Sequence, residues 1–147
     1  MNSQDRIVAE ARRWIGTPYQ HQGSMIQCGA DCLGLFRGVW RALVGQELEE
    51  IPPYTQDWSE ISSHEVMLLS ADLWLRRKPI GSKDSGDVLV FRMRHGGFAK
   101  HLGISTMLAG RQAFVHSYSG HGVVETSLSR PWEQRIAGRF EFPMEKQ

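Results

Sequence analysis

Asp31-Cys32-Leu33-Gly34-Leu35, with Gly16-Thr17-Pro18-Tyr19 shortly before it, is the stretch on which the chain turns. Cys32 stands where a turn-rich loop gives way to an apolar, helix-like run. A thiol at that junction is either a small buried side chain or a nucleophile activated by the positive end of a helix. The remainder of the chain weighs between these two readings.

Around Cys32, residues 32–44 read as a central helix. Leu35, Phe36, Val39, Trp40 and Leu43 form its apolar face, and Asp31 is placed to cap it. Gly34 and Gly38 cost helix propensity. They are either tolerated or mark close packing against the helix. Upstream, residues 3–15 predict a first helix capped by Ser3, with Ile7, Val8, Ala11, Trp14 and Ile15 at helical spacing. Gly16 and Pro18 end it, and residues 20–30 read as a loop. Downstream, Gly45 closes the central helix, and Glu47, Glu49 and Glu50 lead into an extended Ile51-Pro52-Pro53-Tyr54. Residues 63–77 predict a third helix with Val66, Leu69, Leu73 and Trp74 on one side, ended by Pro79-Ile80-Gly81-Ser82. Arg76-Arg77-Lys78 reads as its solvated end.

The second half changes period. Asp87–Met93, His101–Met107, Gln112–Ser117, Val123–Thr126 and Ile136–Phe142 read as strands, with a turn at Ala109-Gly110-Arg111 and another at Gly120-His121-Gly122. Helices first and hairpin-linked strands after is the α+β pattern. No repeat or linker interrupts residues 1–147, which read as a single domain.

Composition excludes several classes. With 41% apolar and 22% charged residues, the 147-residue chain has ordinary globular composition. A net charge of +1 supplies no general drive toward nucleic acid or anionic lipid. No apolar run approaches the roughly 18 residues of a spanning helix. Met1-Asn2-Ser3-Gln4-Asp5-Arg6 lacks the plan of a signal peptide, so synthesis in a cytoplasm is expected. Cys28 and Cys32 are too few for a disulfide framework. The six histidines, at positions 21, 64, 95, 101, 116 and 121, lack zinc-site spacing, so no metal and no cofactor is expected.

A nucleophilic thiol needs a base near neutral pH, and the base needs a group that fixes its tautomer. His101 opens one strand in Lys100-His101-Leu102-Gly103-Ile104, and His116 ends the next in Phe114-Val115-His116-Ser117. A hairpin pairing these strands brings both imidazoles to one end of the sheet. If the central helix places its N-terminus there, Cys32, His101 and His116 form a nucleophile, a base and an orienting group.

These residues carry a resemblance. Trp14-Ile15-Gly16-Thr17-Pro18-Tyr19, Gly23, Asp31-Cys32-Leu33-Gly34-Leu35, Gly86-Asp87-Val88-Leu89-Val90-Phe91, His101-Leu102-Gly103-Ile104 and then His116 resemble, in order and spacing, the NlpC-type cell-wall cysteine peptidases. The resemblance covers about residues 6 to 126. Small size and the Arg37-Gly38-Val39-Trp40-Arg41 stretch are most similar to members encoded in phage tail and gene-transfer-agent clusters. The resemblance implies a papain-like α+β fold, with the nucleophile helix packed on an antiparallel sheet and a variable helical insertion at about 46–82. It implies hydrolysis of peptidoglycan stem peptides through a thioester, typically at the γ-D-glutamyl–diamino acid bond. Carried over by position, Cys32 is the nucleophile, His101 the general base and acid, and His116 the orienting member. Tyr19 matches a tyrosine that assists the oxyanion, and Asp31 a residue that meets a stem-peptide amine. The implied partners are peptidoglycan and other proteins of a tail-like particle acting at the periplasmic wall. Leu33 stands where many members carry a substrate-binding serine.

Other readings stay open beside it. The chain is either a peptidase, a structural tail protein that keeps the fold without hydrolysis, or an amidase or acyltransferase using the same three residues. Cys28 is either an ordinary loop thiol or a reversible disulfide partner of Cys32. His21 and His95 read as solvated loop residues, and Trp40, Trp58, Trp74 and Trp132 as core or interface. Arg92, Arg94 and Lys100 read as a solvated strand edge.

Overall fold

The computed structural model describes residues 2–45, 66–93 and 99–144. Tyr54, Trp58, His64, Arg94, His95 and most of the expected insertion lie outside the described residues.

The first helix, α1, spans Ser3–Arg13. Its cap is Asn2, not the expected Ser3: the Asn2 side chain accepts the Asp5 N–H at 2.8 Å. Ile7, Ala11 and Trp14 are buried at helical spacing, while Ile15 is exposed. The segment expected as plain loop folds into a small hairpin of β1 (Ser24–Met25) and β2 (Gly29–Ala30). The central helix, α2, spans Cys32–Leu43 and buries Leu35, Phe36, Val39 and Trp40. Its two glycines are packing devices. A Cβ on Gly34 would overlap the backbone carbonyl of Gly23, and one on Gly38 would overlap the Trp14 ring.

Next come α3 (Val66–Trp74) and β3 (Arg76–Lys78). Two expectations are corrected here. The buried face of α3 is Met67, Leu68 and Ala71, followed by Leu75 just past its end. Leu69 and Leu73, expected inside, are 59% and 77% exposed. The sequence is apolar on every side of this helix, so its period alone selects no face. Arg76-Arg77-Lys78 is an edge strand rather than a helix end, paired antiparallel with β8. Long cationic side chains suit such an edge: Arg77 reaches back to Asp72 and lies over the Phe140 ring, and Lys78 binds Asp84 and Asp87.

The remaining elements are β4 (Asp87–Arg92), β5 (Ala99–Leu108), β6 (Arg111–Tyr118), β7 (Gly122–Ser127), a short α4 (Arg130–Glu133) and β8 (Ile136–Glu141). They complete a six-stranded sheet of order β3-β8-β4-β5-β6-β7 with antiparallel pairings. The expected α+β architecture, helices ahead of an antiparallel sheet, is what the chain adopts.

Side-chain alternation gives the sheet two apolar faces. Val88, Val90, Leu102, Ile104 and Val115 join the core built with α1, α2 and α3. Leu89, Phe91 and Phe114 form a second core, with Met93, Leu128, Trp132 and Ile136 packed against it. Arg139 and Asp87 form an ion pair at 2.7 Å, both almost fully buried, and Lys78 meets the second Asp87 oxygen at 3.0 Å.

Candidate active site

The site is built outward from the chain just before α2. Ala30 is pinned on three sides: its N–H donates to Pro18, its carbonyl accepts from Gln20 N–H, and the Ser117 hydroxyl of β6 donates to the same carbonyl at 2.6 Å. Tyr19 bridges to Ala30 in parallel register. The Thr17 carbonyl accepts Val123 N–H of β7, and the Val123 carbonyl accepts Gly16 N–H. The Gly16–Tyr19 loop and the start of α2 are thus fastened to β6 and β7.

Asp31 then caps α2. One carboxylate oxygen accepts Gly34 N–H and the other Gln22 N–H, each at 2.7 Å. Both oxygens of the residue expected to meet a substrate amine therefore hold the backbone. His21 Nδ1 lies 3.9 Å from the same carboxylate.

Cys32 follows at the first position of the helix and is 8% exposed. Burial, and then the negative charge of Asp31, push its thiol up to about 12. The N–H groups of Leu102, Leu33 and Cys32 itself pull the other way. The helix start does favour the thiolate, as the sequence implies, but burial outweighs it. Tyr19 is close enough to feel both groups: its phenol is raised by burial first, then by Asp31 and by Cys32. Cys28 is exposed, and both cysteines are free thiols.

The imidazoles are joined directly. His101 Nε2 and His116 Nδ1 are 2.7 Å apart, and their rings meet edge to face. Each alternates with a residue of the helix-side core, so both project to the face of the second core. There they are walled by aromatic rings. Phe91, Tyr118 and Trp132 lie 5.9–6.0 Å from the His101 ring, and Phe114 lies 4.3 Å from that of His116. Burial first, then the neighbouring His116, lowers His101 to about 3. Burial first, then His121, lowers His116 to about 4. Both imidazoles are therefore neutral at pH 7.

The structure brings His101 and His116 together, sets Tyr19 beside Cys32, and lays the Cys32 sulfur against the N–H of Leu102, the residue after His101. Among the described residues, no hydrogen bond joins that sulfur to either imidazole. Leu33 points into the helix-side core, where it lines an apolar pocket with Phe36, Met67, Trp74 and Leu102. Two features had no motif to announce them. Trp132 covers the histidine pair from α4, and Thr126 Oγ1 sits 2.8 Å from His116 Nε2. Strand alternation was the available signal for Thr126, since it lies two residues past Val124, the register partner of His116. Among the described residues no group of three or more His, Cys, Asp or Glu side chains is placed to hold a metal ion.

Over 131 residues the chain is 27% identical to the Escherichia coli protein named murein DD-endopeptidase MepS/murein LD-carboxypeptidase. That match covers 88% of this chain and 58% of the relative, so the chain spans little more than half the relative's length. The NlpC/p60 domain of the peptidoglycan hydrolase SagA superposes with a TM-score of 0.59 at 26% identity, covering 97% of this chain and 99% of that one. A Bacillus cereus NlpC/P60 family protein shares the fold at a TM-score of 0.65 and 18% identity, over 95% of this chain and 40% of that one. The NlpC/P60 family model matches residues 16–140, which take in Tyr19, Cys32, His101 and His116. The chain belongs to the NlpC/P60 family.

Proposed function

We propose that this protein is a cysteine endopeptidase that hydrolyses peptidoglycan stem peptides through a thioester on Cys32. The observation that carries the reading is the buried, hydrogen-bonded pair of His101 on β5 and His116 on β6, with the α2 N-terminus delivering Cys32 against Leu102 of β5. Family membership and the names of the E. coli relative and of SagA, a murein endopeptidase and a peptidoglycan hydrolase, support the substrate class.

The resting pair is a neutral thiol and a neutral imidazole. Attack therefore couples two events: the Cys32 proton passes to His101 as sulfur bonds to the substrate carbonyl carbon. The oxyanion that forms is met by the Cys32 N–H and the Tyr19 hydroxyl. Collapse expels the amine, which takes its proton from His101, and leaves the thioester. His101 then accepts a proton from water as hydroxide adds to the thioester carbon; the C–S bond breaks, the carboxylic acid leaves, and the sulfur takes the proton back from His101. His116 holds the His101 ring throughout. Asp31 fixes the helix start and places negative charge beside the site, complementary to a substrate ammonium.

The resemblance in the sequence favours the γ-D-glutamyl–diamino acid bond, whereas the E. coli relative is named for DD-endopeptidase and LD-carboxypeptidase action. Mass spectrometry of products from purified sacculi separates the two: new N-terminal diamino acids mark the first, and loss of cross-linked dimers marks the second. The tail-particle setting rests on the sequence reading alone. Of the Arg37–Arg41 stretch that motivated it, Gly38, Val39 and Trp40 lie buried in the core. The setting is tested by probing purified particles for the protein with an antibody.

A further inference from the structure

His116 makes two ring hydrogen bonds, Nδ1 with His101 and Nε2 with Thr126 Oγ1. A neutral imidazole has one N–H, so one contact donates and the other accepts. Two settings satisfy this. In the first, His116 Nε2–H donates to the threonine hydroxyl, and His116 Nδ1 accepts from His101 Nε2–H. His101 then carries its lone pair on Nδ1. In the second, every proton is reversed and His101 Nδ1 is blocked by hydrogen. Only the first lets His101 receive a thiol proton at Nδ1 while remaining bonded to His116.

We propose that Thr126 is the positioning residue that holds His116 as its Nε2–H tautomer, and through it sets His101 as a base at Nδ1. This rests on the peptidase reading, whose need for a free His101 Nδ1 selects the first setting over the second; the tautomer itself is read in the folded chain without any activity. The chemistry of the hydroxyl suits the part. A carboxylate at this position would add negative charge and raise both imidazoles toward the cation. A threonine hydroxyl, able to donate or accept, takes the N–H of the first setting without adding charge, consistent with a buried pair that stays neutral. When His101 gains the thiol proton, its Nε2–H still donates to His116 Nδ1 and the His116 Nε2–H still donates to Thr126. The new charge therefore meets a chain of acceptors already in place.

The test compares wild type, Thr126→Val and Thr126→Ser. In 15N spectra of histidine-labelled protein at neutral pH, wild type and Thr126→Ser are expected to show His116 protonated at Nε2, with Thr126→Val losing that pattern. On purified sacculi, Thr126→Val is expected to release soluble fragments about tenfold more slowly, with its acid limb moved to lower pH. Thr126→Ser is expected to stay within about twofold of wild type. A purely structural role would scale the rate without moving the limb. A His116 protonated at Nδ1 in wild type overturns the proposal, as does a Thr126→Val protein whose rate and pH profile match wild type. If wild type does not act on sacculi, the peptidase reading fails, and the 15N pattern alone decides the role of Thr126.

Discussion

His101 and His116 are held well below the ordinary imidazole range, at about 3 and about 4. The unfolded chain binds their protons near pH 6.5, so it takes up protons that the folded chain refuses. The contribution of these residues is thus complete above about pH 6.5 and is lost as pH falls toward their folded values. For His116 alone the loss by pH 5 is about 2 kcal/mol, or about 4–8 °C in Tm for a chain this size. Thermal unfolding at pH 7 and pH 5 checks this. Wild type should lose more than His116→Asn over the same interval, and equal losses would contradict the assignment. Cys32 is the complementary case. With its thiol pushed up by burial and by Asp31, alkylation by iodoacetamide at pH 7 should be slower than that of exposed Cys28, as read by peptide mapping. Rapid alkylation of Cys32 near pH 5.5, lost in His101→Ala, would mean a thiolate–imidazolium pair instead.

At the scale of elements, the site depends on how closely the Gly23 loop approaches α2. Gly34→Ala sets a methyl group against the Gly23 carbonyl, displacing the loop that Asp31 also holds through Gln22. The expected cost is about 2–3 kcal/mol in urea unfolding. Activity should fall further than stability accounts for, because the same shift moves Cys32. An unchanged urea midpoint would show that the loop gives way freely. The sequence made this helix legible because capping residue, apolar stripe and small residues agreed with one another. The strands were legible for the same reason, through alternation bounded by turns. Helix α3 was not, since leucines on all sides leave the choice of face to tertiary packing. Strand β3 was hidden by three consecutive cations, which name an exposed segment but not its pairing.

At the scale of the molecule, the sheet keeps the parts of the site on separate supports. The helix-side core delivers Cys32 and the loop fastened to Ala30 and β7 brings Tyr19, while the aromatic core under Trp132 encloses the imidazoles. The order of Cys32, His101 and His116 along the chain was enough to nominate them. Their environment was not readable, because Phe91, Phe114, Tyr118 and Trp132 converge on them only once β4, β5, β6 and α4 are assembled. The same holds for Thr126, which no local motif distinguishes from any polar residue on a strand.

The most direct measurement is release of soluble fragments from purified peptidoglycan sacculi by wild type and by Cys32→Ala, with folding of both verified by circular dichroism. The account expects release by wild type and none above background by Cys32→Ala. Equal release by the two proteins would contradict it, since no thioester at position 32 could then be part of the reaction.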